Sequence, residues 1–175
     1  MFGEKGLVHI YTGNGKGKTT SSLGLAMRAL GHGANVTVIQ FMKGWKDYGE
    51  LITASKLEGL EMIQTGRPDY VYKGKEQPED YCEAERGMKT ALCVMSSGKC
   101  DMLILDEINV AVDYGLVTLE SVIELVKNKP PGMELILTGR YAHKDLIELA
   151  DLVTEMHEVK HPYNDGITAR KGVEF

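Results

Sequence analysis

No apolar stretch in this sequence reaches the roughly 18 residues a transmembrane helix requires; the apolar residues are dispersed in short runs. The opening residues Met1-Phe2-Gly3-Glu4-Lys5-Gly6 do not follow the charged-then-apolar layout of a signal peptide, so the expected location is the cytoplasm, with no membrane partner. There is no excess of positive charge either. A net charge of −5 and a pI near 5.6 leave no general field to attract a phosphodiester backbone, which argues against nucleic acid as the main partner. Cysteines are few: Cys82, Cys93 and Cys100 form no CxxC pair and fall in or beside a helical stretch. Their expected state is buried and reduced, with Cys82 and Cys93 on one helical face packing into the core. Internal repeats, low-complexity tracts and charge blocks are absent as well, so the 175 residues read as one domain, 1–175, large enough to fold without disulfides or a structural metal.

What is present is an alternation of short apolar runs with longer amphipathic ones, the pattern of helices crossing between parallel strands. Strands are expected at 7–12, 34–41, 60–64, 102–105, 134–138 and 152–159, and helices at about 18–30, 48–57, 78–97, 119–127 and 144–149. The expected fold class is α/β, an open, mainly parallel sheet with helices on both faces, and the glycine- and lysine-rich segment from Gly13 to Thr20 between the first strand and the first helix makes it P-loop NTPase-like. Gly31-His32-Gly33 and Pro130-Pro131-Gly132 read as turns at helix ends rather than as domain boundaries. Residues 65–77 are the one long connection without clear periodicity, and such loops are usually functional or mobile.

The chemistry starts after the first strand, where Gly13-Asn14-Gly15-Lys16-Gly17-Lys18-Thr19-Thr20 leads directly into an apolar-periodic helix. Glycines let backbone N–H groups turn inward around phosphate oxygens, and a helix N-terminus adds positive potential. Lys18 is placed to reach the terminal phosphates and the Thr19 hydroxyl to ligate Mg2+. The segment departs from the strict G-x-x-x-x-G-K-[ST] pattern at one position, Thr12, and a dinucleotide fingerprint is excluded because its third glycine would fall on Lys18. A P-loop metal also needs a carboxylate at the end of a buried strand. Met102-Leu103-Ile104-Leu105-Asp106-Glu107 supplies two, and Asp106 and Glu107 are assigned jointly to Mg2+ or its waters, the alternative being a helix N-cap. Arg140, in Thr138-Gly139-Arg140 at the same sheet edge, is a candidate for neutralising triphosphate charge, the alternative being a surface ion pair. The residues alone therefore predict binding of Mg-ATP, with hydrolysis, phosphoryl transfer or attack elsewhere on the nucleotide all open.

The segment from Thr12 to Thr20, with Leu105-Asp106-Glu107, Thr138-Gly139-Arg140, Val159-Lys160-His161-Pro162, Gly166-Ile167 and Ala169-x-x-Gly172-Val173, resembles the P-loop family of ATP:corrinoid adenosyltransferases over nearly the whole chain. The resemblance implies attack by a reduced Co(I) corrinoid on the 5′ carbon of ATP, with triphosphate expelled, as in adenosylcobalamin biosynthesis or salvage. No protein nucleophile is needed. Lys18, Thr19 and the Asp106/Glu107 pair would then act on the departing triphosphate. The resemblance also implies a flavoprotein electron donor and a homodimer. The main alternative is a P-loop ATPase or kinase, in which Glu107 activates water or an acceptor hydroxyl.

Family members set aromatic residues against the lower face of the cobalt. Here the corresponding loop reads Gly66-Arg67-Pro68-Asp69-Tyr70-Val71-Tyr72, which makes Tyr70 and Tyr72 the corrinoid-side candidates in place of a Phe/Trp pair; the other reading is tyrosines on a solvated loop. Phe41-Met42-Lys43-Gly44-Trp45 follows the second strand and is similar to the family too; it is placed to wall the nucleotide site, with Trp45 either in that wall or simply packed. Some relatives carry a segment that caps the site across a dimer, and only Met1 to Gly6 precede the first strand here. His157-Glu158-Val159-Lys160-His161 matches H-E-x-x-H but is not read as a zinc site. The segment is expected to be extended, which sets residues four apart roughly 13 Å from each other.

Overall fold

A computed structural model describes residues 5–175; the reading of residues 1–4 falls outside the described residues. Strand β1 (Val8–Thr12) and helix α1 (Lys18–Gly31) come first. They are followed by β2 (Val36–Phe41), α2 (Gly49–Ala54), β3 (Leu60–Thr65), α3 (Pro78–Ser96), β4 (Met102–Asp106), α4 (Ile108–Asp113), α5 (Leu119–Lys127), β5 (Glu134–Thr138), α6 (Lys144–Leu149) and β6 (Leu152–Glu155). The six strands form one sheet in the order β3-β2-β4-β5-β1-β6, and every pairing is parallel. No helix among the described residues is long and apolar enough to cross a membrane.

β4 shows why its sequence is continuously apolar. Its side chains alternate between two buried layers: Leu103 and Leu105 join the cluster built with Ala84 and Met88 of α3 and Leu125 of α5, whereas Met102 and Ile104 meet Ala26 and Ala29 of α1. Helices thus cover both faces. The small residues Ala26 and Ala29 bring α1 close to the sheet, which sets the N-terminus of α1 at the carboxyl edge of the strands.

Three expectations need correction. β6 stops at Glu155 rather than at 159, because its one partner among the described residues is β1 and the register runs out where Thr12 faces Glu155. The chain from there to the 3-10 turn at Pro162–Asp165 is irregular, so the H-E-x-x-H residues lie neither on a helix nor on a strand. Cys82 and Cys93 are exposed and Cys100 is half-buried; the buried line of α3 runs through Ala84, Gly87, Met88, Ala91 and Met95 instead. Helix α4 was not expected, since INVAVD carries no helical periodicity and begins directly at the acidic pair.

The connection from β3 to α3 is tethered along its length. Arg67 donates to both carboxylate oxygens of the buried Asp80 at 2.7 and 3.2 Å, Val71 is buried, and Lys73 pairs with Asp113 at 2.7 Å.

Candidate active site

The phosphate loop is shaped by its own neighbours before any ligand arrives. After Thr12 the backbone enters the left-handed region at Gly13 (φ 93°), and it does so again at Gly17 (φ 121°), which N-caps α1. The loop lies against the chain leaving β6: the Gly15 N–H donates to the Met156 carbonyl at 2.7 Å, and a Cβ on Gly13 would sit 2.4 Å from that same oxygen. Gly13→Ala is therefore expected to lower the melting temperature by several degrees, since a strained positive φ costs about 1–3 kcal/mol before the clash is counted. Thermal unfolding without ligand would show it.

Lys18, the first residue of α1, is buried and turns back under the loop, where its Nζ donates to the carbonyls of Gly13 and Gly15, each at 2.8 Å. It has no ion pair among the described residues. Burial pulls its pKa down, and Glu107 opposes that shift. Lys16, in contrast, reaches outward to the C-terminal segment, donating to the Val173 carbonyl at 3.1 Å and to Glu174 at 2.8 Å. The same segment sets Phe175 on Trp45, ring centroids 5.0 Å apart. Trp45 also packs on Tyr48 and is not in the wall of the cleft, which Phe41, Met42 and Lys43 supply from the same stretch.

Under the loop, polar residues end the central strands in a buried row: Gln40 on β2, Asp106 on β4, Thr138 on β5 and Thr12 on β1. Asp106 is the centre of this row. Its Oδ1 accepts from the hydroxyls of Thr19 (2.9 Å) and Thr138 (2.7 Å), and its Oδ2 accepts from Lys43 (2.7 Å) and Gln40 (3.3 Å). Burial alone would raise the Asp106 pKa; the Lys43 ammonium and the hydroxyl donors overcome it and hold the carboxyl below the ordinary carboxylate range. Sequence reasoning gave no role to Lys43, Gln40 or Thr138 individually. The available signal was a lysine two residues past a buried strand, at the same edge as a buried aspartate.

Glu107 follows in the left-handed conformation (φ 62°), and this turn sends it to the cleft while Asp106 stays in the sheet. Its carboxylate has no hydrogen-bond or ion-pair partner among the described residues. Burial first, then the neighbouring Asp106, pushes its pKa up. The joint assignment thus separates into an engaged scaffold carboxylate and an open one. Thr19 and Glu107 could hold a hard cation beside Asp106, and Mg2+ suits this oxygen set, since it takes one or two carboxylates and completes its shell with phosphate and water.

A cleft of about 470 Å³ joins these groups. Every residue from Asn14 to Thr20 lines it, together with Lys43, Glu107 and Arg140. Arg140 is exposed and has no ion pair among the described residues, so the surface-pair alternative does not describe it. Tyr70 reaches the cleft; Tyr72 does not line it but meets the Tyr70 ring at 4.9 Å. Three tyrosines the sequence did not single out, Tyr48, Tyr114 and Tyr141, line it as well.

Comparison with known proteins adds the family. The profile of the family described as ATP:corrinoid adenosyltransferase BtuR/CobO/CobP matches residues 4–175. A corrinoid adenosyltransferase of Sinorhizobium sp is 38% identical over 174 residues, covering 98% of this chain and 81% of the relative. The protein of the same name from Pseudomonas aeruginosa is 36% identical over 98% of this chain and 85% of its own length, and that of Escherichia coli K12 is 35% identical over 98% and 87%. A phosphate loop over an aspartate-ended central strand, with a match extending across the described sheet and tail, places this chain in the ATP:corrinoid adenosyltransferase family.

Proposed function

We propose that this protein transfers the 5′-deoxyadenosyl group of ATP to the cobalt of a reduced Co(I) corrinoid and releases triphosphate. The observation that carries the reading is the lining of the cleft. It brings the loop, Lys18 and Arg140, which suit a polyphosphate, together with Tyr48, Tyr70, Tyr114 and Tyr141, and no cysteine or serine lines it as a nucleophile among the described residues. In this reaction the nucleophile is the substrate: the Co(I) electron pair forms the cobalt–carbon bond while the bond from the 5′ carbon to oxygen breaks and its pair leaves on triphosphate.

The chain's part is to hold the phosphates and to receive that charge. Loop amides and Lys18 stabilise negative charge that grows as the bond breaks, so they favour the transition state over the bound substrate. Thr19 and Glu107 would hold Mg2+, with Asp106 orienting Thr19; when bound, the ion neutralises phosphate charge. The proposal extends to a flavoprotein as the electron source for Co(I), a homodimer and a cytoplasmic location.

A second reading rests on Glu107. An open carboxylate with a raised pKa facing a phosphate site could activate water or a hydroxyl, as in a P-loop ATPase or kinase. Mixing the protein with Mg-ATP and a chemically reduced Co(I) corrinoid separates the two. Loss of the Co(I) absorbance with equimolar triphosphate and a light-sensitive product is expected; ADP with an unchanged corrinoid would establish the second reading instead.

A further inference from the structure

Three non-glycine residues among the described ones have a positive φ: Met42 (59°), Glu107 (62°) and Tyr141 (62°). All three line the cleft, and each lies just past the carboxyl end of a central strand. Left-handed backbone is costly for a residue with a bulky side chain and persists where something else requires it. For two of them the requirement is visible. Met42 makes a ladder-like bond to Thr65 at 2.9 Å, and Glu107 turns the chain from β4 into α4. Around Tyr141 the backbone is tied on both sides, the Gly139 N–H to the Tyr11 carbonyl at 3.1 Å and the Ala142 N–H to the Thr12 hydroxyl at 3.3 Å, but Tyr141 itself is 56% exposed and its side chain makes no hydrogen bond among the described residues, so nothing in the fold asks for a tyrosine there.

Its ring stands with others. Tyr70 comes from the β3–α3 connection, Tyr114 from the end of α4 and Tyr141 from the chain after β5, and all three line the cleft. Tyr114 lies close enough to the other two that, after burial, their phenols are the next influences raising its pKa. Rings offered to one cleft by three separate segments give more aromatic surface than one nucleobase needs, with phenol hydroxyls that suit a macrocycle fringed with amides.

We propose that Tyr141 is a specificity-determining residue for the corrinoid, held in a strained backbone conformation so that its ring face forms the wall against which the macrocycle seats opposite Tyr70. This rests on the corrinoid reading above. The strain is then a cost in stability kept for binding.

The test is Tyr141→Gly, which adopts φ near 62° freely, with Tyr141→Phe, which keeps the ring. The melting temperature of Tyr141→Gly should equal or exceed that of the wild type, while its KM for the Co(I) corrinoid rises about tenfold, the effect of losing one aromatic contact. The loss should sit in KM rather than kcat and leave the KM for Mg-ATP aside, and Tyr141→Phe should recover most of it. Equilibrium dialysis with Co(II) cobalamin in the presence of Mg-ATP should show the same loss of affinity. A rise in KM for ATP instead, no rise in either, or a melting temperature lowered by several degrees would each overturn the inference. A wild-type protein that forms no cobalt–carbon bond would overturn the corrinoid reading itself, which the same assays distinguish.

Discussion

Replacing Lys18 with alanine is expected to slow single-turnover adenosyl transfer at saturating Mg-ATP by about 10²–10³-fold, the size of effect seen when one donor to a developing anion is removed. The reason lies in how the structure holds this lysine. Its ammonium is buried, has no carboxylate among the described residues as an ion-pair partner, and rests on the carbonyls of Gly13 and Gly15. Two neutral acceptors satisfy its hydrogen bonds without neutralising it, and Glu107 and Asp106 act on it only through space, so the loop presents a positive charge with no direct ion-pair partner to an anion. Triphosphate gains one negative charge as it separates from the 5′ carbon, and Lys18 therefore gains more from the transition state than from bound ATP.

The effect should accordingly appear in kcat more than in KM. Because the same two hydrogen bonds also tie the loop, a direct measurement of Mg-ATP affinity must accompany the kinetics. Affinity reduced by no more than about tenfold would show that the loop survives the substitution. A single-turnover rate equal to wild type would remove Lys18 from the chemistry and leave it a ground-state ligand.

How this site could be read from sequence depends on how local each determinant is. The phosphate loop was legible because its strand, its glycines and its helix start are contiguous, and β4 because a strand buried on both faces is apolar at every position. The end of β6 was not legible, since what stops it is the length of β1, its partner more than a hundred residues away in the chain. Spacing put Cys82 and Cys93 on one face of α3 but could not tell which face is buried; the small residues Ala84, Gly87 and Ala91, which let Phe41 and β3 approach, decide that. Lys43 was invisible for a related reason. It meets Asp106 only because β2 lies beside β4 with Gln40 opposite Asp106, a strand order that no local pattern encodes.

That pair yields the largest expected change in stability. Asp106 is fully buried and the Lys43 side chain is 18% exposed, 2.7 Å away, so Lys43→Met removes the one ion-pair partner of a desolvated carboxylate among the described residues. Breaking a buried pair on one side costs about 3–5 kcal/mol, whatever the intact pair contributes. The sign with pH follows from the two pKa directions. In the wild type Asp106 is held below its unfolded value, so its contribution is complete above an unfolded pKa of about 3.9 and is lost as pH falls through the lower folded value. In Lys43→Met, burial is no longer opposed by an ammonium, the folded pKa rises above the unfolded one, and the penalty is greatest at neutral pH and shrinks as the carboxyl protonates. The gap in stability between wild type and variant, measured by urea unfolding in the presence of a chelator, should narrow as pH is taken from 7 towards about 4. A gap constant with pH would mean that the variant is destabilised by lost packing of the lysine stem and that Asp106 keeps its charge without Lys43.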